Sequence, residues 1–120
     1  MKKCLLVTTA FILTACVNTT PLETSLVYIN TGEIQCGAEG KTGAETALIL
    51  TNENIDVSKT QCGHLSNVVM IAMCGAEGTS INVHEIARAD LEKAQSIGFE
   101  DVNTLKQEES LGYDVSECIQ

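Results

Sequence analysis

Thr42-Gly43-Ala44-Glu45-Thr46-Ala47-Leu48-Ile49-Leu50-Thr51-Asn52-Glu53-Asn54 is the stretch on which the fold turns. It opens with Thr-x-x-Glu, in which a threonine hydroxyl and a glutamate carboxylate satisfy orphan backbone N–H groups at a helix start. Ala44, Ala47, Leu48 and Thr51 share one face at helical spacing. Asn54 tolerates the left-handed conformation that ends a helix. Working outward, residues 26–34 begin Leu26-Val27-Tyr28-Ile29, β-branched and aromatic enough for a strand. Residues 55–58 alternate as a second strand. The run Val68-Val69-Met70-Ile71-Ala72-Met73 is short and wholly apolar, the pattern of a strand buried on both faces. Residues 80–84 alternate again, and residues 87–97 predict a second helix with Leu91, Ala94 and Ile97 inward and Gly98 as its stop. Phe99 and Val102 are placed to begin a last strand. Residues 106–118 are polar and aperiodic, a tail pinned by Cys118.

The order β-α-β-β-β-α, with a last strand to spare, predicts an α+β fold. The simplest burial of these stripes is a small two-layer domain, a mixed four- or five-stranded sheet with two helices on one face. In outline this is similar to split βαβ, ferredoxin-like arrangements, which host many unrelated activities and so imply none. Cys36-Gly-Ala-Glu-Gly40 recurs as Cys74-Gly-Ala-Glu-Gly78, each copy after an apolar segment. The helices do not align at that offset, so it reads as a repeated turn.

Sixteen acidic and seven basic residues in 120 give a formal charge of −9. Phosphate binding needs clustered Lys and Arg, so nucleic acid is an unsuitable partner. The aromatics are Phe11, Tyr28, Phe99 and Tyr113, too few for a sugar or base platform. Apolar residues make up 44% of the chain, which suits one folded core of this length rather than global disorder.

Met1-Lys2-Lys3 followed by an uncharged apolar stretch through Leu13 reads as a secretory signal peptide, too short to span a bilayer. Leu13-Thr14-Ala15-Cys16 resembles the lipobox of bacterial lipoproteins. That resemblance implies cleavage after Ala15, a diacylglycerol thioether on Cys16 and acylation of the new amino group, an anchor of more than one chain. Val17 stands where such lipoproteins carry an aspartate for inner-membrane retention, which implies outer-membrane sorting. The domain plan is therefore signal peptide 1–15, lipid-anchored tether 16–25 and a single domain 26–120. Without residues 1–15, all the acids remain but Lys2 and Lys3 are lost, so electrostatics disfavour contact with anionic headgroups.

Cys36, Cys62, Cys74 and Cys118 then remain, an even number that reads as two disulfides in an exported domain. Three connectivities are open. Parallel first and second strands favour Cys36 with Cys62 and Cys74 with Cys118; the rival joins Cys62 to Cys74 and Cys36 to Cys118. A zinc site from these thiols with His64 and His84 lacks the paired spacing such sites use. His84, beside Asn82 on an alternating strand, is expected on the solvent face.

Gly37-Ala38-Glu39-Gly40-Lys41-Thr42 sits where a phosphate loop would, but Gln35 occupies the position of its first glycine. It reads as a strand-to-helix turn with a capping threonine. No serine elbow or calcium loop is present, and Glu100-Asp101 and Glu108-Glu109 read as solvated pairs. No catalytic residue, cofactor site or metal site is assigned. The expectation is a lipid-anchored cell-envelope protein acting as a binding or structural module for an envelope partner. The alternative is a small enzyme or ligand or metal carrier using the 36–42 turn or the His84 strand face.

Overall fold

The computed structural model describes residues 23–118. Signal peptide, lipobox and most of the tether, through residue 22, lie outside them. Strands β1 (Thr24–Asn30), β2 (Val57–Leu65), β3 (Ser80–Ala87), β4 (Glu100–Asp101) and β5 (Tyr113–Ser116) alternate with helices α1 (Gly43–Thr51) and α2 (Leu91–Ser96). The sheet order is β4-β1-β3-β2-β5, and every pairing is antiparallel. β3 lies between β1 and β2, which therefore run in the same direction, and β1 likewise separates β3 from β4. These are two interlocked split βαβ units, the α+β arrangement expected from the element order, with β5 added at the free edge of β2. The sheet is antiparallel throughout rather than mixed, because β3 lies between β1 and β2 and β1 lies between β3 and β4.

The strand parity fixes two apolar clusters. Val27 of β1 and Ile86 of β3 face both helices, joining Leu50, Ile55, Ala94 and Phe99. On the opposite face Tyr28, Ile81 and Val83 meet Val102 and Tyr113. The helix-free face is closed by the turn Val102–Leu105 and the ring of Tyr113 rather than by a third helix. Burying each Val, Leu, Ile or Phe side chain contributes about 1.5–3 kcal/mol, so small β-branched residues carry a core short of aromatics.

The helix start is as the sequence requires. Thr42 N–H donates to Glu45 Oε2 at 2.7 Å, and Glu45 N–H donates to Thr42 Oγ1 at 3.1 Å. Asn54 has φ 60° and Gly98 φ +105°, stopping α1 and α2 as expected. The buried face of α1 differs from the expected one: Gly43, Thr46 and Leu50 point inward, while Leu48 is exposed. Thr46 is buried because its hydroxyl has partners, which hydrophobic counting does not register. Gly43 is required there, since a Cβ would lie 2.8 Å from Thr60 Cγ2.

Four expectations are corrected. Residues 68–73 are not a strand; they belong to the loop between β2 and β3, and Val69 is 98% exposed. The strand enclosed on both faces is β3, whose inward polar residues are hydrogen-bonded. The second strand covers Val57–Leu65 rather than 55–58, with Ile55 in the core before it. The tail is not aperiodic throughout, because Tyr113–Ser116 forms β5. β1 starts at Thr24 and ends at Asn30, where Thr31 N–H still donates to Ser80 O.

Candidate functional site

The four cysteines are paired as Cys36–Cys74 and Cys62–Cys118. This is the third connectivity, so both the favoured and the rival pairings fall. Antiparallel β5 explains one bridge: Cys62 is in register with Ser116, two residues before Cys118. The sequence repeat explains the other. Both copies of Cys-Gly-Ala-Glu-Gly face each other, with Gln35 N–H donating to Ala76 O and Gly75 N–H to Gln35 O, both at 2.9 Å. Ile34 and Glu77 form a further bridge. Cys36 sits at φ 62° and Gly75 at φ 92°, so the copies pair without sharing one conformation.

This clamp holds residues 68–73 out in solvent. The Gln35 amide donates from Nε2 to Ile71 O at 2.9 Å and accepts from Met73 N–H at 3.1 Å through Oε1. One side chain thus replaces the neighbouring strand that the run lacks. Val68, Val69, Met70, Ile71 and Met73 are all substantially exposed. Single exposed apolar residues are ordinary, but five within six positions form a concentrated apolar patch, which makes this loop a candidate site. A groove of about 300 Å³ runs between this loop and the ends of β1 and β2, bordered by Asn30, Leu65 and Glu77.

The 36–42 turn borders a different depression, a polar notch of about 130 Å³ that includes Glu33, Lys41, His64 and Asn82. Asn82 is buried; its Nδ2 donates to Lys41 O at 3.1 Å. Cys62 Sγ lies 3.3 Å from Asn82 Oδ1, but within a disulfide it has no proton to donate, so this is a contact only. His64 Nδ1 is 3.4 Å from Thr79 Oγ1. Among the described residues no cluster of three or more His, Cys, Asp or Glu is arranged to hold a metal ion.

His84 is not on the solvent face; it is fully buried under α1. Nε2 lies 2.8 Å from Thr46 Oγ1 and Nδ1 lies 2.9 Å from Thr60 Oγ1. The Thr46 hydroxyl already donates to the carbonyls of Thr42 and Gly43, so it accepts from Nε2–H, and Nδ1 accepts from Thr60. Both nitrogens are used, Phe99 packs edge-on at 6.0 Å between ring centroids, and burial pushes the imidazole pKa down to about 4. His84 is a structural hub of the core. It and the 36–42 turn do not form one site.

Of the pairs read as solvated, Glu100 accepts from the Tyr28 hydroxyl at 2.5 Å, and Asp101 Oδ1 accepts from Asn103 N–H at 2.9 Å. Burial of Tyr28, followed by the Glu100 carboxylate, pushes the phenol up to about 12. Glu108 and Glu109 line an open recess beside Asn67, next to the exposed loop. Sequence reading missed the loop as a site because an apolar run signals burial. The signal that could have found it is the repeat, whose equivalent cysteines pair immediately after the segment. Compared with protein-family models, curated proteins and solved structures, the chain matches none.

Proposed function

We propose that this protein is a lipid-anchored, non-enzymatic binding module of a bacterial cell envelope, sorted to the outer membrane. The observation that carries the binding role is the exposed apolar loop 68–73, fixed by the Cys36–Cys74 bridge and the Gln35 amide. Exposed apolar patches of this kind commonly mark contact sites, and a loop stapled in place presents such a patch in a fixed shape, which supports a contact role. The lipobox residues Leu13-Thr14-Ala15-Cys16 support the anchor, and two disulfides support an oxidising compartment.

Mass spectrometry of protein isolated from membranes of producing cells tests the anchor. The expected species begins at an acylated Cys16 and has no free thiol among Cys36, Cys62, Cys74 and Cys118. An unprocessed amino terminus with four free thiols would overturn both anchoring and export. The binding role is tested by Val69→Ser combined with Ile71→Ser, which is expected to abolish recovery of envelope partners that the unaltered lipoprotein retains.

A second reading, a carrier of a small polar ligand, is favoured by the notch between the 36–42 turn and Asn82. It requires Lys41→Ala to weaken ligand retention; Lys41→Ala behaving as the unaltered protein would remove it.

A further inference from the structure

We infer that the partner seated on the 68–73 loop is a cationic amphipathic protein segment, apolar on one side and rich in Lys or Arg on the other. This rests on reading the loop as a binding surface and adds the chemistry of what it binds. The groove beside the loop carries Glu77 on its border. It is flanked by two recesses, one holding Glu108 and Glu109 beside Asn67, the other holding Glu100 beside Asn30 and Leu65. No lysine or arginine lines any of these three depressions among the described residues. The lining cations lie elsewhere: Arg88 and Lys106 around the start of β1 and Lys41 in the separate notch, while Lys59 pairs opposite Glu85 on β2 and Lys93 is on α2. An apolar strip bordered by unneutralised carboxylates matches a ligand with the opposite border, and a steered encounter follows from the same field.

The two competing occupants fit less well. A second copy would bring the same carboxylates face to face, with no lysine or arginine among the residues lining these depressions to offset the repulsion. A bilayer with anionic headgroups is repelled by the same groups. The geometry also points the loop away from the chain's amino-terminal side. Thr24 pairs with Ala87 while Asn30 pairs with Ile81, so the loop leaves the sheet at the opposite end of β1 from Glu23. Seven strand residues put about 20 Å between those ends.

The test is an NMR titration of the purified, disulfide-intact chain. The probe is an 18-residue amphipathic helix of Leu and Lys, with the Leu and Glu version of the same peptide as its control. The expected result is amide shifts confined to residues 66–79 and 107–110 with the Lys peptide only. Val69→Ser with Ile71→Ser is expected to weaken binding by about tenfold or more, since two buried aliphatic contacts are lost. Glu77→Gln with Glu108→Gln and Glu109→Gln is expected to flatten its salt dependence.

Shifts spread over Glu53, Asp56 and Glu92, or equal binding of the Glu peptide, would overturn the inference. So would loop shifts produced instead by phosphatidylcholine vesicles or by raising the protein concentration alone; either leaves the loop a binding surface for another occupant. A loop silent to all of these probes, with the serine variant retaining envelope partners as the unaltered protein does, would remove the underlying reading as well.

Discussion

Acidification should destabilise this domain through His84, and the size of the effect follows from its surroundings. The ring is fully buried with its two nitrogens against the Thr46 and Thr60 hydroxyls and no carboxylate among its hydrogen-bond partners, so burial disfavours the charged imidazolium. Burial lowers the folded pKa from 6.5 to about 4. The unfolded chain therefore takes up the proton first as pH falls. Stability from this group is complete above about pH 6.5, is lost between there and about pH 4, and is not recovered below. One pKa unit corresponds to about 1.4 kcal/mol, so the loss is about 2 kcal/mol by pH 5 and about 3 kcal/mol by pH 4. His84→Gln keeps an amide N–H for Thr46 and cannot titrate. Urea denaturation of both proteins at pH 7, 5 and 4, followed by circular dichroism, isolates the term, because carboxylate contributions cancel in the difference. The stability advantage of the unaltered protein over His84→Gln should shrink by about 3 kcal/mol across that range. Parallel pH profiles, or a folded-state imidazole resonance titrating near 6.5, would show that His84 does not carry this loss.

Three further outcomes are expected. Peptide mapping without reduction should recover Cys36 joined to Cys74 and Cys62 joined to Cys118; any other pairing contradicts the loop clamp. Cys36→Ala with Cys74→Ala should lower stability by about 4 kcal/mol, from the chain entropy of a 38-residue separation, while leaving the core circular dichroism signal intact. A loss below about 1 kcal/mol would mean that the unfolded chain is not constrained as supposed. Tyr28→Phe should cost about 1–2 kcal/mol by removing the hydroxyl donor to Glu100, and the Tyr28 phenol should ionise at about 12 in an ultraviolet titration. A Tyr28 transition at the ordinary value of 10 would contradict that contact.

Local signals were legible in the sequence where they act locally. The Thr42 and Glu45 box, the stops at Asn54 and Gly98, and the inward Leu91, Ala94 and Ile97 are decided by backbone groups within a turn. The α+β architecture followed from their order. Misreadings arose where a distant residue sets the outcome. His84 and Thr46 look like surface residues until each supplies the other's hydrogen bond across α1 and β3. The run at 68–73 looks like a core strand because apolarity reports a preference for burial, not whether a neighbour exists to provide it. Its carbonyl and amide partners come from Gln35, more than thirty positions earlier. The disulfides failed for the same reason: the premise of parallel first and second strands was sound, but β3 between them and β5 beside β2 decide which sulfurs meet.

Photocrosslinking in producing cells, with a benzoylphenylalanine in place of Val69, bears most directly on the claim that the stapled loop is the binding surface. Lys59, on β2 near the opposite end of the sheet, serves as the control position. A discrete adduct is expected from position 69 that disappears when Cys36 and Cys74 are both alanine, with none from position 59. No adduct from position 69, or equal adducts from both positions, would contradict that claim.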